Sequence, residues 1–443
     1  MNQSNGAGLR KYGVVSLFSG AMGFDLGLEA TGRFETLAAL EFDKACCDTI
    51  RLNRDKGRTA RRDMRVHEGD ITRIPAVSVM ADLGMATGEL DLLCAGPPCQ
   101  SFSTTGRRRT VEDPRGTLLW QVIEYIDVFR PKTFVIENVR GLLSAALKHR
   151  PIAARPEKGG LPLDPDEMPG SVMRKFLEDL RRRFGEVYRM DVFEVNAANY
   201  GAPQIRERAI FIGNRMDAVI DFPEPTHGPN QLPYATLGDA LRRVGHELNS
   251  VIMDFSPRKK SYLSMIPPGG NWRCLPLALQ MESMGKAFHA KGGRSGWWRR
   301  LSADLPCPTI VTMPNHASTA LTHPTEVRAL TVAECAAVQE FPPEWQFRGT
   351  PQDQYRQVGN AVPVRLGIAA GNAIASCLDR DPAIAQPSTE TSSYRLVYLR
   401  SHVRTRQWFK GGASKVWTDG ADNGAAEYAA PRTHRREKVF AGA

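Results

Sequence analysis

The sequence of 443 residues has no CxxC pair, although it contains eight cysteines. None of them has a partner cysteine or histidine at zinc-ligand spacing, so we expect no metal. The chain has no apolar run near the roughly 20 residues that a membrane helix needs. Its N-terminus lacks the apolar core of a secretion signal. These absences predict a reduced, cytoplasmic protein that does not associate with a membrane.

Acidic residues are fewer than basic ones, with 48 Asp and Glu against 58 Lys and Arg and a formal net charge of +10. This excess favours a polyanionic partner but does not by itself identify one. The hydrophobic fraction of 42% is sufficient for a folded core. The length exceeds that of one ordinary domain, so we expect two domains with additions.

Apolar, strand-like runs alternate with amphipathic helices over the first half of the chain. The predicted strands are 12–18, 36–41, 90–95, 133–136, 187–195 and 209–213. The predicted helices between them are 24–30, 117–129 and 171–184. This alternation predicts an α/β fold with a doubly wound, largely parallel sheet.

Cys99 lies in the run GPPCQSFS (96–103), just beyond a predicted strand, and the run ENV (137–139) ends the next one. A thiol on a turn can act as a nucleophile, and the Glu137 carboxyl on a neighbouring strand end can protonate or hydrogen-bond what it attacks. A cytosine ring that takes sulfur at C6 while N3 is protonated fits this pair. Taken alone, Cys99 would more often be a buried, inert side chain.

A glycine-rich turn joins the first predicted strand to the first helix in the run FSGAMGFDLG (18–27). Its glycines are three and four residues apart, unlike the two and three of the dinucleotide fingerprint that admits a pyrophosphate. A ligand without phosphates is therefore favoured. Three further runs follow along the chain: GDI (69–71), QIRER (204–208) and QVGNAVP (357–363).

In these runs the sequence resembles the DNA (cytosine-5) methyltransferase family of the bacterial restriction-modification type. Seven blocks occur in the family's order between Leu17 and Leu366, apart from one variable stretch. The resemblance implies a Rossmann-like, S-adenosylmethionine-dependent methyltransferase domain with a smaller target-recognition domain. It also implies site-specific methylation at C5 of cytosine in double-stranded DNA, which would protect host DNA against a cognate restriction endonuclease. We expect a monomer.

The resemblance also implies catalytic roles. Cys99 would add to C6, and Glu137 would act as acid or hydrogen-bond partner at N3. Arg208 would hold the cytosine O2, with Arg206 supporting the site. No residue is identified for removal of the C5 proton.

For the methyl donor, the resemblance implies contacts from nine residues: Phe18, Gly20, Gly23, Glu41, Asp70, Ile71, Pro97, Asn360 and Val362. Glu41 would accept hydrogen bonds from the ribose hydroxyls, and Asp70 from the adenine amino group. Met22 departs from the family's pattern, which more often has glycine there.

DNA binding requires base flipping, because inside a duplex the cysteine and the donor cannot both reach C6 and C5. Residues after the nucleophile would contact DNA, and a basic loop would close over it: Gln100, Ser101, Ser103, Arg107, Arg108 and Arg109. In the variable stretch, the candidate contacts are Trp272, Arg273 and Arg299. Tryptophans there are at least as often core residues.

The pattern of regular structure weakens after Asp221 and resumes at Thr331, which has capping-box spacing to Glu334. We interpret the intervening stretch, rich in Pro, Gly, Trp and Arg, as a mostly irregular or β target-recognition domain. The predicted division is a catalytic domain at 12–220 and 322–378, the recognition domain at 221–321, and a basic C-terminal extension at 379–443.

Two other functions stay open from the sequence. One is methylation of cytosine in RNA, as in the tRNA-acting branch of this family. The run after Cys99 and the long variable stretch favour DNA over that substrate. The other is a DNA-binding regulator without catalysis, against which the intact Cys99, Glu137 and Arg208 count.

Overall fold

The computed structural model describes residues 10–98, 118–184, 187–244, 251–290, 294–380 and 393–399, and the backbone of 408–410, 413–415 and 436–441. The strands are β1 (Tyr12–Leu17), β2 (Phe34–Glu41), β3 (Arg65–Glu68), β4 (Leu92–Ala95), β5 (Thr133–Val139), β6 (Arg189–Asn196), β7 (Glu207–Asn214), β8 (Ser393–Leu399), β9 (Trp408–Lys410), β10 (Ala413–Lys415) and β11 (Arg436–Ala441). The helices are α1 (Gly23–Ala30), α2 (Lys44–Asp55), α3 (Ala76–Asp82), α4 (Leu118–Phe129), α5 (Ser171–Phe184), α6 (Leu237–Val244), α7 (Pro257–Leu263), α8 (Leu277–Met284), α9 (Val332–Val338), α10 (Pro351–Asn360) and α11 (Val364–Leu378).

A central sheet organises the chain, with the strand order β11-β8-β6-β7-β5-β4-β1-β2-β3. The strands β1 to β5 are parallel, as predicted. Strand β7 is antiparallel to both β5 and β6. Strands β6 and β7 are joined by residues 197–206, which contain a single 3₁₀ turn and no crossover α-helix, so this pair is antiparallel. The α/β class is confirmed.

Helices cover both faces of the sheet. On one face α3, α4 and α5 bury a core that includes Val122, Ile126 and Phe176. On the other face α1 and α11 pack against the sheet and against each other. The two helices touch at glycines, because a Cβ built on Gly27 would lie only 2.6 Å from Gly367 Cα.

Part of the segment after Leu378, which we expected to be a basic extension, joins the central sheet. Strand β8 joins the sheet parallel to β6, with Leu396, Val397 and Leu399 buried. Arg395 Nε lies 2.9 Å from Asp191 Oδ1, an oxygen of a fully buried side chain in β6. The short apolar run LVYL gave too little periodicity to predict this strand, because its partner is distant in sequence.

The variable stretch is mostly irregular, as expected, and also contains three short helices that the sequence did not predict. Among its described residues there are isolated bridges but no strand, and α6, α7 and α8 lie within it. A separate apolar cluster runs from Phe255 to Ala329 and includes Tyr262, Trp272 and Trp298. Helix α6 packs instead against α9, in the cluster that also holds α2 and α10.

The stretch Pro351–Leu378, which comprises α10 and α11, is long and apolar enough to cross a membrane by length and composition only. Most of it is buried against the rest of the protein, as in the core helix of a globular fold.

Candidate functional site

The candidate site follows one edge of the sheet. Because β3, β2, β1, β4 and β5 are parallel neighbours, their carboxyl ends meet at this edge. Strand β7 runs the other way and therefore begins at the same edge, with Arg208 opposite Val139. From β7 to β3, the residues at these ends are Arg208, Glu137, Pro97, Phe18, Glu41 and Asp70.

Glu137 and Arg208 form an ion pair at one end of this row. Arg208 Nε lies against Glu137 Oε1, although the pair is not aligned as a hydrogen bond, and both side chains are about nine-tenths buried. Arg208 Nη1 also donates to the Glu207 carbonyl at 2.8 Å. The guanidinium is thereby held beside the carboxylate, and both can present polar atoms to a planar ligand.

The turn after β4 is fixed to the end of β5. Asn138 Nδ2 donates to the Pro97 carbonyl at 3.1 Å, and its Oδ1 accepts from Val139 N at 2.9 Å. A Cβ built on Gly96 would lie 3.9 Å from Glu137 Oε2 and from the Phe18 carbonyl oxygen. The turn that leads into Cys99 therefore lies between the carboxylate and the glycine-rich turn.

Cys99 itself lies outside the described residues, as do the predicted DNA contacts Gln100, Ser101, Ser103, Arg107, Arg108 and Arg109.

The glycine-rich turn is held by Glu41. Gly20 N donates to Glu41 Oε2 and Asp43 N donates to Glu41 Oε1, each at 2.8 Å. Burial raises the pKa of Glu41 above its ordinary value. A Cβ built on Gly20 would meet no atom within 4 Å, so the backbone there is open to a ligand. Met22, with φ of 66°, adopts a left-handed conformation that normally favours glycine.

Asp70 begins a short 3₁₀ turn after β3. Its Oδ1 accepts from Thr72 N at 3.0 Å and from Thr72 Oγ1 at 2.8 Å, and these bonds lower the pKa of the carboxyl. Ile71 is buried behind it. Phe42, directly after Glu41, is 73% exposed, an unusual state for a large aromatic side chain. Phe42 was not among the residues predicted from the sequence, although it directly follows Glu41.

The run 357–363 packs beside the glycine-rich turn, as the resemblance implies. Gly23 is pressed against the Val362 carbonyl, so no larger residue fits there without a shift. Gln357 Oε1 accepts from Thr49 Oγ1 of α2 at 2.6 Å. Asn360 is exposed at the end of α10, and its carbonyl accepts from Arg206 Nη2 at 3.1 Å. The structure thus brings both ends of the candidate donor site together.

A buried acid lies beneath the glycine-rich turn. Asp25, in the first turn of α1, is 2% exposed and bonds Ser16 of β1. Its Oδ1 has no partner among the described residues. Burial raises the pKa of Asp25 to about 7. Burial, together with Asp25 and Glu137, also raises the pKa of the Cys94 thiol.

The family model of C-5 cytosine-specific DNA methylases matches residues 12–376. The chain belongs to this family. The methylase is accordingly a DNA (cytosine-5) methyltransferase, and the site that extends from Arg208 to Asp70 lies within the matched residues.

Relatives of the methylase are similar over most of their length. A type II methyltransferase of Psychrobacter sp., M.PspPI, is 37% identical over 84% of this chain and 81% of its own. M.Sau96I of Staphylococcus aureus, also a type II methyltransferase, is 33% identical over 84% and 77%. The crystal structure of a DNA modification methyltransferase from an Escherichia coli prophage has the same fold. Its TM-score is 0.54, with 21% identity over 84% of this chain and all of that one.

Three residues of the variable stretch were expected to contact DNA. Two of them, Trp272 and Arg299, are partly or fully buried. Trp272 is 6% exposed and packs edge-on against Phe288, which corrects its selection as an exposed groove contact. Arg299 Nε donates to the Ala320 carbonyl at 3.1 Å, and burial lowers its pKa to about 10. Arg273 is exposed, with its guanidinium 4.6 Å above the Trp272 ring.

Several residues that organise the site were not selected from the sequence. Asn138 fixes the turn before Cys99, and Gln339 bonds the carbonyls of Val358 and Ala361 and the side chain of Gln204. Their signal was weak, because amide side chains in isolated runs have no characteristic spacing. Within the described part of the chain, no three His, Cys, Asp or Glu side chains come together as a metal site.

Proposed function

We propose that the protein transfers a methyl group from S-adenosylmethionine to C5 of a flipped-out cytosine at specific sites in double-stranded DNA. The order of the residues along the sheet edge supports this proposal. Groups suited to a cytosine lie at β7, β5 and β4, and groups suited to an adenosine lie at β1, β2 and β3. The turn before Cys99 is between them.

The donor site suits S-adenosylmethionine better than a phosphate-bearing cofactor. Glu41 bonds the backbone of the glycine-rich turn, and Asp70 follows the neighbouring strand β3, so two carboxylates near the turn would repel a pyrophosphate. We propose that Glu41 accepts from the ribose and Asp70 from the adenine amino group, with Phe18 and Phe42 against the ring. The other proposed contacts are Gly20, Gly23, Ile71, Pro97, Asn360 and Val362. When bound, the donor supplies an electrophilic methyl group.

The proposed chemistry begins with the Cys99 thiolate, which forms a bond to C6 of cytosine. Glu137 donates a proton or a hydrogen bond at N3 as negative charge moves onto the ring, and Arg208 binds O2. The electron pair then reaches C5, which would take the methyl group as the S–CH3 bond of the donor breaks and a neutral thioether leaves. Loss of the C5 proton to a bound water, with return of the N3 proton to Glu137, then expels the sulfur as the Cys99 thiolate and restores the aromatic ring.

We propose that target recognition resides in the variable stretch 221–321, chiefly in the part with its own apolar cluster. Arg273 remains a proposed contact because it is exposed and stacked on Trp272, which orders the guanidinium. The run Arg107–Arg109, with Gln100, Ser101 and Ser103, would bind phosphates around the flipped nucleotide. Trp272 and Arg299 would support this surface from within.

The biological role that we propose is protection of host DNA in a restriction-modification system. The relatives carry the name type II methyltransferase, and this chain matches most of their length. We further propose a cognate endonuclease that reads the same site, a monomeric enzyme, and action on cytoplasmic DNA.

Bisulfite sequencing of DNA from a host that expresses the protein tests this function. We expect one short sequence to be protected at a single cytosine, and no protection with Cys99→Ser. Modified cytosine in host RNA with unmodified DNA would favour the RNA substrate instead. Unmodified nucleic acid together with tight DNA binding would favour a regulator.

A duplex with 5-fluorocytosine at the mapped position tests the covalent step, because the C5 substituent cannot leave as a proton. We expect a denaturation-resistant complex with wild type. Cys99→Ser should form none, and Glu137→Gln should form it about 10²- to 10⁴-fold more slowly. A complex of Cys99→Ser as stable as that of wild type would contradict the assigned nucleophile.

A further inference from the structure

Arg206 is a buried cation whose hydrogen bonds go only to uncharged acceptors. It is 3% exposed. Its Nη1 donates to the Ile310 carbonyl at 3.3 Å, and its Nη2 donates to the carbonyls of Gly359 and Asn360, each at 3.1 Å. Its Nε has no partner among the described residues. The side chain therefore connects the residue directly before β7 to two segments more than a hundred residues away.

One of these segments is the returning chain, residues 307–312, which lies near the end of the variable stretch and leads back towards the catalytic helices. Residues 307–310 run beside 203–206 like a short strand pair: Ile205 N donates to the Cys307 carbonyl and Cys307 N to the Pro203 carbonyl, each at 2.8 Å. Thr309 Oγ1 adds a bond of 2.7 Å to the Ile205 carbonyl. The returning chain is thus fixed to the residues that directly precede β7, the strand that carries Arg208.

The other segment belongs to the proposed donor site. A Cβ built on Gly359 would lie 2.7 Å from both Thr312 N and Val311 C, so the returning chain presses directly on the end of α10. Gln339 forms a second connection to the end of α10. Its Nε2 donates to the Val358 and Ala361 carbonyls at 2.6 and 3.1 Å. Gln339 Oε1 accepts from Gln204 Nε2 at 2.6 Å.

Burial of the Arg206 cation is unfavourable for the stability of the fold. Burial, together with Arg208 nearby, lowers the pKa of Arg206 well below its ordinary value, and Glu137 offsets this only in part. An apolar residue of similar volume would avoid the desolvation of a cation. The guanidinium instead offers several donors in one fixed plane, which is what holding three carbonyls from two segments requires.

We propose that Arg206 is a positioning residue which couples the chain returning from the variable stretch to the donor site. Binding of DNA at the variable stretch then increases the affinity for the donor at Asn360, and binding of the donor increases the affinity for DNA, because Arg206 holds both segments. This inference rests on the proposed function, because it takes 221–321 as the recognition region and Asn360 as a donor contact.

The test measures the affinity of S-adenosylhomocysteine by calorimetry, alone and with a duplex that carries the site mapped by bisulfite sequencing. In wild type we expect the duplex to tighten binding by about 5- to 150-fold. Arg206→Lys keeps a cation but loses the planar set of donors of the guanidinium. The factor by which the duplex tightens binding of S-adenosylhomocysteine should therefore fall towards one. The KM for the donor at saturating DNA should rise by the same factor, with a smaller change in kcat.

Arg215→Lys is the matched control. Arg215 follows the far end of β7 and also donates to two backbone carbonyls, those of Pro131 and Gly88, at 3.0 and 2.9 Å. Its replacement should lower the melting temperature and leave the coupling factor unchanged. Thr309→Val, at an exposed position, serves if Arg206→Lys does not fold, and should reduce the factor partially.

Two results would overturn the inference: a coupling factor in Arg206→Lys equal to that of wild type, or a wild type that methylates DNA without any coupling. Failure of the proposed function is a separate result, since wild type would then leave DNA unmethylated in the bisulfite experiment.

Discussion

At the scale of single residues, the glycine-rich turn has backbone strain at two residues that are not glycine. Phe18 and Met22 have φ of 57° and 66°, in the left-handed region. Such a conformation costs a non-glycine residue about 1–2 kcal/mol. Met22 retains it because its side chain is completely buried between α1 and the cluster around α10.

Replacement of Met22 should therefore reverse the usual order of alanine and glycine. Both Met22→Ala and Met22→Gly lose the buried side chain, at a cost of about 2–5 kcal/mol. The glycine variant also loses the strain, so it should be the more stable of the two by about 1 kcal/mol in urea unfolding. Ala21→Gly, next to it and without a left-handed φ, should be destabilised. A more stable Met22→Ala would show that the turn is unstrained.

Asp25 makes stability depend on pH in an unusual direction. Its folded pKa of about 7 lies above the ordinary 3.8. Between these values the folded state holds a proton that the unfolded state has lost, so stability decreases as pH rises from about 4 to 7 and then levels off.

Asp25→Asn removes this titration and should raise the melting temperature at pH 7.5 more than at pH 5. Thermal unfolding of both proteins between pH 5 and 8 provides the measurement. Parallel curves for the two proteins would mean that Asp25 is ionised throughout.

At the scale of elements, the sequence pattern predicted the strands whose formation depends mainly on their own residues. Strands β2, β4 and β5 were predictable, because a buried parallel strand is apolar on both faces. The reversal of β7 and the strand β8 were not, because each depends on a partner chosen by tertiary packing. The same holds for Asn138 and Gln339, whose carbonyl partners are fixed only by the fold.

Strand β8 leads to a prediction about truncation. Ending the chain after Asp381 would uncover β6 and leave the buried Asp191 without Arg395. Loss of one partner of a buried pair costs about 3–5 kcal/mol, so this protein should melt at a markedly lower temperature. A truncation after Leu399, which keeps β8, is the control. Equal melting temperatures for the two truncated proteins would show that β8 does not stabilise the sheet.

At the scale of the whole molecule, the apolar clusters suggest where specificity can be exchanged. Residues 255–298 contribute most of the cluster in the variable stretch, whereas α6 and the segment around Ile310 pack on the catalytic helices. Substitution of 255–298 alone by the equivalent segment of a relative should transfer the methylated site and keep the enzyme folded.

Exchange of the entire 221–321 stretch provides the comparison. It should transfer the site as well but give a lower melting temperature, because it replaces one side of the contact between α6 and α9. Bisulfite sequencing and thermal unfolding of both chimeras distinguish these outcomes. An unchanged site in both chimeras would place recognition elsewhere in the chain.

The large sequence separation between β6 and β8 delays completion of the sheet while the chain is being synthesised. Ser393, where β8 begins, is 197 residues after Asn196, where its partner β6 ends. A ribosome that adds about 5–20 residues per second needs roughly 10–40 s to cover that distance. Throughout this interval β6 has an unpaired edge that other nascent chains can bind. The soluble yield of the enzyme should therefore depend on how fast the cell translates it and on the chaperones that shield this edge.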